Sequence, residues 1–169
     1  NLDISNYNRA ISVLRSSNVT IENNVIRSNE EAIRFGESNS SRITGNEIFE
    51  NNGGIELSRL DHDNVISNNT ISNNGFFGVS LNESNGNRIT NNTFTFNSRS
   101  HIVGFVPSGS EPPNTVVNNN FDRSAVSFWG GGLTIFDFPP PVGGNHWSDF
   151  DTPAEGCNDA NNDGFCDRP

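Results

Sequence analysis

The sequence predicts an all-β fold, a solenoid of parallel strands with coils of about 22–24 residues, because three motifs keep one period. Asn24, Asn46, Asn69, Asn92 and Asn119 each occupy the frame apolar-x-x-Asn-x-apolar, at steps of 22, 23, 23 and 27. Asn29, Asn51, Asn74 and Asn97 form a second column at steps of 22, 23 and 23. A small-apolar-x-apolar motif recurs at Ala10-Ile11-Ser12-Val13, Ala32-Ile33-Arg34-Phe35, Gly54-Ile55-Glu56-Leu57, Gly78-Val79-Ser80-Leu81 and Ala125-Val126-Ser127-Phe128. Ile102 holds the place between the last two.

Helical repeats are excluded. No stretch has the 3, 4, 7 spacing of an amphipathic helix, and Ala, Leu, Lys and Gln are scarce or absent. Short period-2 runs of Ile, Val, Thr and Phe between Asn, Ser and Gly are instead two or three strands per coil. Each strand pairs with its equivalent one coil later, at about 4.8 Å. Ile21, Ile43, Ile66 and Ile89 are expected beneath one sheet. The asparagine columns are expected at corners, adopting the left-handed conformation and bonding amide to amide along the stack. Each such bond is worth about 0.5–1.5 kcal/mol net.

Arg15, Glu37, Arg59 and Glu83 alternate in sign along one edge, with Arg34 over Glu56 beside them. An ion-pair ladder accounts for this pattern, since a groove for an anionic sugar needs unpaired Arg or Lys on one face. The coils are expected to span 1–128, with an insertion at 103–115 that explains the step of 27. The aromatic, Gly- and Pro-rich segment 129–148 is expected to cap the core, with Ile135, Phe136 and Phe138 folding back over it. Its aromatics, with Trp129, Phe136, Phe138 and Trp147 foremost, are also the candidates for sugar stacking or subunit contact. Residues 149–169 form an Asp-rich tail.

Hydrophobic content of 31% would starve a sandwich of 169 residues, but a solenoid needs only a narrow apolar stripe in each turn. A net charge of -10, with ten Arg and no Lys, argues against nucleic acid. No apolar run approaches a membrane span. The absence of Met and a start in mid-coil are those of a processed product or an excerpt.

The frame Ile-x-x-Asn-x-Ile-x-x-Asn-x-x-Gly-Ile-x-Leu, clearest from Ile43 to Leu57, resembles the repeats of the NosD-like family, also described as carbohydrate-binding and sugar-hydrolase repeats. Gly143-Gly144-Asn145-His146-Trp147-Ser148-Asp149-Phe150, followed by the Asp-rich stretch to Asp167, is similar to the ending of secreted, often archaeal, members. The resemblance covers nearly the whole chain and implies a right-handed parallel β-helix, a single-stranded solenoid. It fixes function much less, because such coils carry lyases, hydrolases, epimerases, adhesins and scaffolds.

Asp61-His62-Asp63 is the densest titratable cluster in the repeats, and some β-helix lyases and epimerases act on uronates with a similar group. Column alignment sets Asp61 over Ser38 and Ser84, and Asp63 over Ser40 and Gly86, so turn chemistry explains the trio. Tyr7 is more than two coils away and no Lys can act as base. Copper, suggested by the family's name, wants Met, Cys or clustered His. The chain has no Met, two Cys that read as a pair, and His62, His101 and His146 in unrelated columns.

A calcium site is expected in the tail. From Asp159, oxygen ligands fall at Asp159, Asn161 and Asp163, then Gly164 permits the turn, the Phe165 carbonyl follows and Asp167 comes next. Cys157 and Cys166 bracket that loop and are expected to form a disulfide, which places the chain in an oxidising compartment. Sequons at Asn18, Asn39, Asn68, Asn82 and Asn91 are compatible with export and glycosylation.

The resulting expectation is a secreted or cell-surface module, a rigid non-catalytic scaffold or glycan-binding surface. Its expected partners are polysaccharide or like subunits. The alternatives are a polysaccharide lyase, epimerase or hydrolase, and a filament or surface-layer subunit assembling end to end.

Overall fold

The computed structural model describes residues 1–123, 125–138 and 143–148. Its strands stack into three parallel sheets of seven, six and six strands, a β-solenoid without helix among the described residues. The first sheet begins Asp3–Ser5, Val25–Arg27 and Glu47–Phe49, the second Arg9–Leu14, Glu31–Gly36 and Gly53–Ser58, and the third Thr20–Glu22, Arg42–Thr44 and Val65–Ser67. Register follows the sequence period, with Ile4 beside Ile26, Ile21 beside Ile43 and Ile33 beside Ile55. Each coil turns its apolar residues into one narrow core. Ile21, Ile43, Ile66 and Ile89 are buried beneath the third sheet as expected, and Ile26, Ile48, Ile71, Phe94 and Phe121 beneath the first.

The corners differ from the sequence reading in one respect. The buried asparagines do not carry the left-handed backbone; the residue before each of them does. Asn23, Gly45, Asn68, Asn91 and Asn118 have φ of 56° to 66° and precede the first column, while Ser28, Glu50, Asn73 and Phe96 have φ of 53° to 55° and precede the second. A left-handed residue reverses the chain and turns the next side chain inward, where an amide can bond the backbone of neighbouring coils.

Asn69 shows the pattern. Its Oδ1 accepts from Asn46 N at 2.9 Å and Asn46 Nδ2 at 3.0 Å, and its Nδ2 donates to Ile43 O, Ser67 O and Asn92 Oδ1 at 2.9 to 3.0 Å. The first column also extends one coil further than expected, because Asn119 donates to Asn145 Oδ1 at 3.0 Å. A third inward column, Ser41, Asn64, Asn87 and Asn114, is linked by bonds of 3.0 to 3.2 Å. A fourth comprises Ser16, Ser38, Asp61 and Ser84, each after a left-handed residue.

Outside, Arg15 meets Glu37 at 3.0 Å and Arg34 meets Glu56 at 3.7 Å, as the ladder required. Glu31 joins Arg9 at 2.6 Å and Arg34 at 3.3 Å, extending the network, and its hydrogen bond raises the Arg9 pKa further above its ordinary value. Arg59 was expected to pair with Glu37. It has no ion pair among the described residues, because Leu60 adds a residue to that corner and both have positive φ.

Two described segments within 129–148 continue the solenoid. Thr134–Ile135 pairs with Asn114–Val117 as the last strand of the third sheet, and His146–Trp147 pairs with Asn120–Phe121 as the last of the first. Phe136 packs on the core and meets Phe128 edge-on at 5.6 Å. Trp147 stacks on Phe121 at 4.4 Å, and Phe121 on Phe94 at 4.9 Å, each at 15°.

Candidate functional site

Two places in the coils carry titratable groups beyond simple surface pairs. The first is the turn containing Asp61, His62 and Asp63. Asp61 is fully buried and faces inward in the fourth column. Its Oδ1 accepts from Ser38 N at 2.6 Å and its Oδ2 from Ser58 N at 2.5 Å. The longer side chain spans the corner that Leu60 enlarges, a task the serines at Ser38 and Ser84 do not face. Loss of water pushes its carboxyl up to about 6, against the two backbone N–H groups that favour the anion.

His62 and Asp63 project outward, with Nδ1 2.9 Å from Asp63 Oδ2. His62 pairs in the strand bridges with Asn39 and Asn85, as column alignment required. The trio therefore does not converge: its first carboxylate is inside the coil and the other two side chains engage each other.

A pH dependence follows from Asp61. Its folded pKa, about 6, lies above the ordinary 3.8, so between these values the folded chain binds more protons than the unfolded chain. Stability from this group is complete below about pH 4 and declines as pH rises through 6, by about 3 kcal/mol in all. Urea unfolding of the native chain and of Asp61→Asn across this range should show the excess slope only in the former. An equal slope in both, or native stability gained as pH rises relative to the variant, would contradict the assignment.

The second place is a shallow groove of about 440 Å³ on the outer face of the first sheet, lined by Thr93, Thr95, Asn120, Asp122, His146 and Ser148 among others. Outward positions of three successive strands line up here because side chains alternate across a parallel ladder. Asp122 is its anchor. Its Oδ2 accepts from Phe96 N at 2.7 Å, and its Oδ1 lies 2.6 Å from Nε2 of the fully buried His101, off the ideal hydrogen-bond line.

The tautomer of His101 is fixed by the end of the second asparagine column. Asn97 Oδ1 accepts from Asn74, so its Nδ2 faces His101 Nδ1 at 3.2 Å. Nδ1 must accept, and Nε2 carries the hydrogen towards Asp122. Phe94 and Phe121 enclose the imidazole at centroid distances of 6.0 and 5.7 Å. Sequence reasoning missed this pair. Its only signal was a histidine in the column otherwise held by Ala10, Ala32, Gly54, Gly78 and Ala125.

The remaining sequence candidates are dispersed. Trp129 and Phe138 are exposed, whereas Phe136 and Trp147 are half-buried in the end packing. Asn18, Asn68, Asn82 and Asn91 are exposed and Asn39 is half-buried, so four of the five sequons are open on the surface. The residues expected to bind calcium, Asp159, Asn161, Asp163, Phe165 and Asp167, and the expected disulfide pair Cys157 and Cys166, lie outside the described residues.

The described histidines stand at separate places: His62 beside Asp63, His101 between Asn97 and Asp122, and His146 in the groove. No three His, Cys, Asp or Glu assemble to hold an ion among the described residues. No helix among them is long and apolar enough to cross a membrane.

Compared with known proteins, residues 1–152 match a family model described as periplasmic copper-binding protein (NosD). No curated protein and no solved structure matches the chain. The match spans the asparagine columns, the inward apolar columns and the Asn145-His146-Trp147 ending that closes the first sheet, and on that ground the chain belongs to the NosD family.

Proposed function

We propose that this chain is an exported, non-catalytic β-helix module, a rigid scaffold that presents a glycan-binding surface. The observation that carries the reading is how the titratable side chains of the coils are used. Asp61 faces inward, Arg34 is shared between Glu31 and Glu56, and His62 is engaged by Asp63. Cleavage or epimerisation of a uronate needs charge neutralisation, a base and a proton donor within a few ångströms of one sugar. In the Asp61 turn and along the ion-pair ladder these groups are held apart.

The test is a screen of alginate, pectin and related glycans for unsaturated products absorbing in the near ultraviolet, and for altered C5 stereochemistry by NMR. No turnover is expected. Turnover that disappears in His62→Ala would overturn the scaffold reading. The copper in the family's description finds no group of three His, Cys, Asp or Glu placed to hold it among the described residues, and the chain has no Met.

Export is supported by the family's periplasmic description and by the two cysteines around an Asp-rich loop. In this reading Asp159, Asn161, Asp163, the Phe165 carbonyl and Asp167 hold calcium, and Cys157 bonds to Cys166. Calcium titration should give heat, and chelation should lower the melting temperature. If calorimetry is silent and the melting temperature unmoved, the loop is an ordinary acidic turn; free thiols by alkylation would remove the disulfide.

A further inference from the structure

We propose that the groove at Asp122, together with the exposed ring of Phe96, is a binding subsite for a neutral β-linked glycan chain. The proposal rests on the glycan-surface reading above and assigns it a place and a ligand class. Three departures from the repeat coincide here. At the corners between the first and second sheets, the left-handed residues Asn6, Ser28, Glu50 and Asn73 are polar, and the fifth is Phe96. Asparagine adopts this conformation readily, while a bulky aromatic is strained in it. Burial does not compensate, since Phe96 is 68% exposed.

The backbone bond of that corner also changes. Asn6, Glu50 and Asn73 each donate N–H to a backbone carbonyl of the next coil, Ser28, Ser72 and Thr95 respectively. Phe96 donates to the Asp122 carboxylate. The third departure is His101, a buried imidazole in the small-residue column, set against the other oxygen of the same carboxylate. Imidazole, carboxylate and a strained aromatic thus form one chain from the core to the surface. Packing alone would be served by Asn at 96 and a small residue at 101, as in the preceding coils.

The ligand class follows from the chemistry. Asp122 is an acceptor, Thr93, Thr95 and Ser148 offer hydroxyls, and Asn120 an amide, a set that matches sugar hydroxyls. Thr95 and Asp122 both line the groove and both adjoin Phe96, by chain and by hydrogen bond. An exposed aromatic beside such a set accepts the flat C–H face of a β-pyranose. The groove crosses three strands, about 10 Å, so it takes a chain rather than a monosaccharide. A carboxylate in its lining, on a chain of net charge -10, opposes uronates.

The experiment is calorimetry of the full chain with cellohexaose and xylohexaose, using oligogalacturonate as the anionic control, repeated in Phe96→Asn and Asp122→Asn. One of the neutral hexaoses should bind and oligogalacturonate should not. Phe96→Asn should weaken binding about tenfold while leaving the melting temperature equal or higher, because it restores the repeat's own corner residue. Binding of neither hexaose at millimolar concentration, equal binding in Phe96→Asn, or a lower melting temperature in that variant would each overturn the subsite. Hexaose binding that ignores both substitutions would reject this place but leave the glycan-surface reading standing. Turnover of a bound hexaose would reject the scaffold reading and keep the subsite.

Discussion

Asn69→Ala should destabilise the chain by about 3–5 kcal/mol, enough to lose cooperative folding of the central coils. The substitution deletes an acceptor used by Asn46 N and Asn46 Nδ2 and a donor used by Ile43 O and Asn92 Oδ1. All lie in the interior, where a stranded N–H or carbonyl costs about 1–3 kcal/mol, and no water can replace the amide without entering the core. The neighbouring Asn68 provides the contrast. It is exposed with φ of 56°, so Asn68→Ala loses only its tolerance of the left-handed conformation, about 1 kcal/mol. Urea unfolding followed by circular dichroism should separate the two by several kcal/mol. Similar losses in both would mean that corner conformation, not the inward ladder, holds the stack.

Gly54→Ala should cost about 3 kcal/mol or more, for the smallest possible increase in side-chain size. A Cβ at Gly54 would sit 2.1 Å from the carbonyl oxygen of Gly78 and 3.0 Å from that of Phe77. Both contacts are backbone atoms of the adjacent strand Phe77–Asn82, so relief requires the second sheet to part between two coils rather than one side chain to rotate. Ala32, in the same column one coil earlier, is accommodated with its side chain fully buried. The reciprocal change Ala32→Gly should cost less, about 1–2 kcal/mol, from backbone freedom and one buried methyl. Thermal unfolding of the two variants tests this, and a Gly54→Ala melting temperature equal to the native one would show that the sheet yields at this place.

Much of the fold was legible because a solenoid writes its tertiary structure as local repetition. Parallel strands pair a residue with its equivalent one period later, so the steps of 22 and 23 between asparagines are also the hydrogen-bonded registers of the sheets. The columns of Ile21, Ile43, Ile66 and Ile89, the pairs Arg15 with Glu37 and Arg34 with Glu56, and the turn position of His62 were all readable for that reason. Much less of the candidate site was legible. His101 lies in the second sheet and Asp122 just after a strand of the first, in different columns, where no shared period signals that they meet. Asn145 was hidden behind irregular spacing, and Trp147, a candidate for binding, stacks on Phe121.

By itself the sequence determined the period, the parallel stacking, the apolar columns and the presence of two asparagine ladders, because each depends only on equivalent residues recurring one coil apart. Tertiary structure decided that in Asn23-Asn24, Asn68-Asn69, Asn73-Asn74 and Asn91-Asn92 the first member carries the left-handed backbone and the second turns inward, two tasks the pattern assigns to the second alone. It also decided that Asp61 is buried and that the strained Phe96 rests on Asp122. The sign of one backbone angle sends each polar side chain into the core or out to water, and that sign is set by the closure of the whole coil on its neighbours.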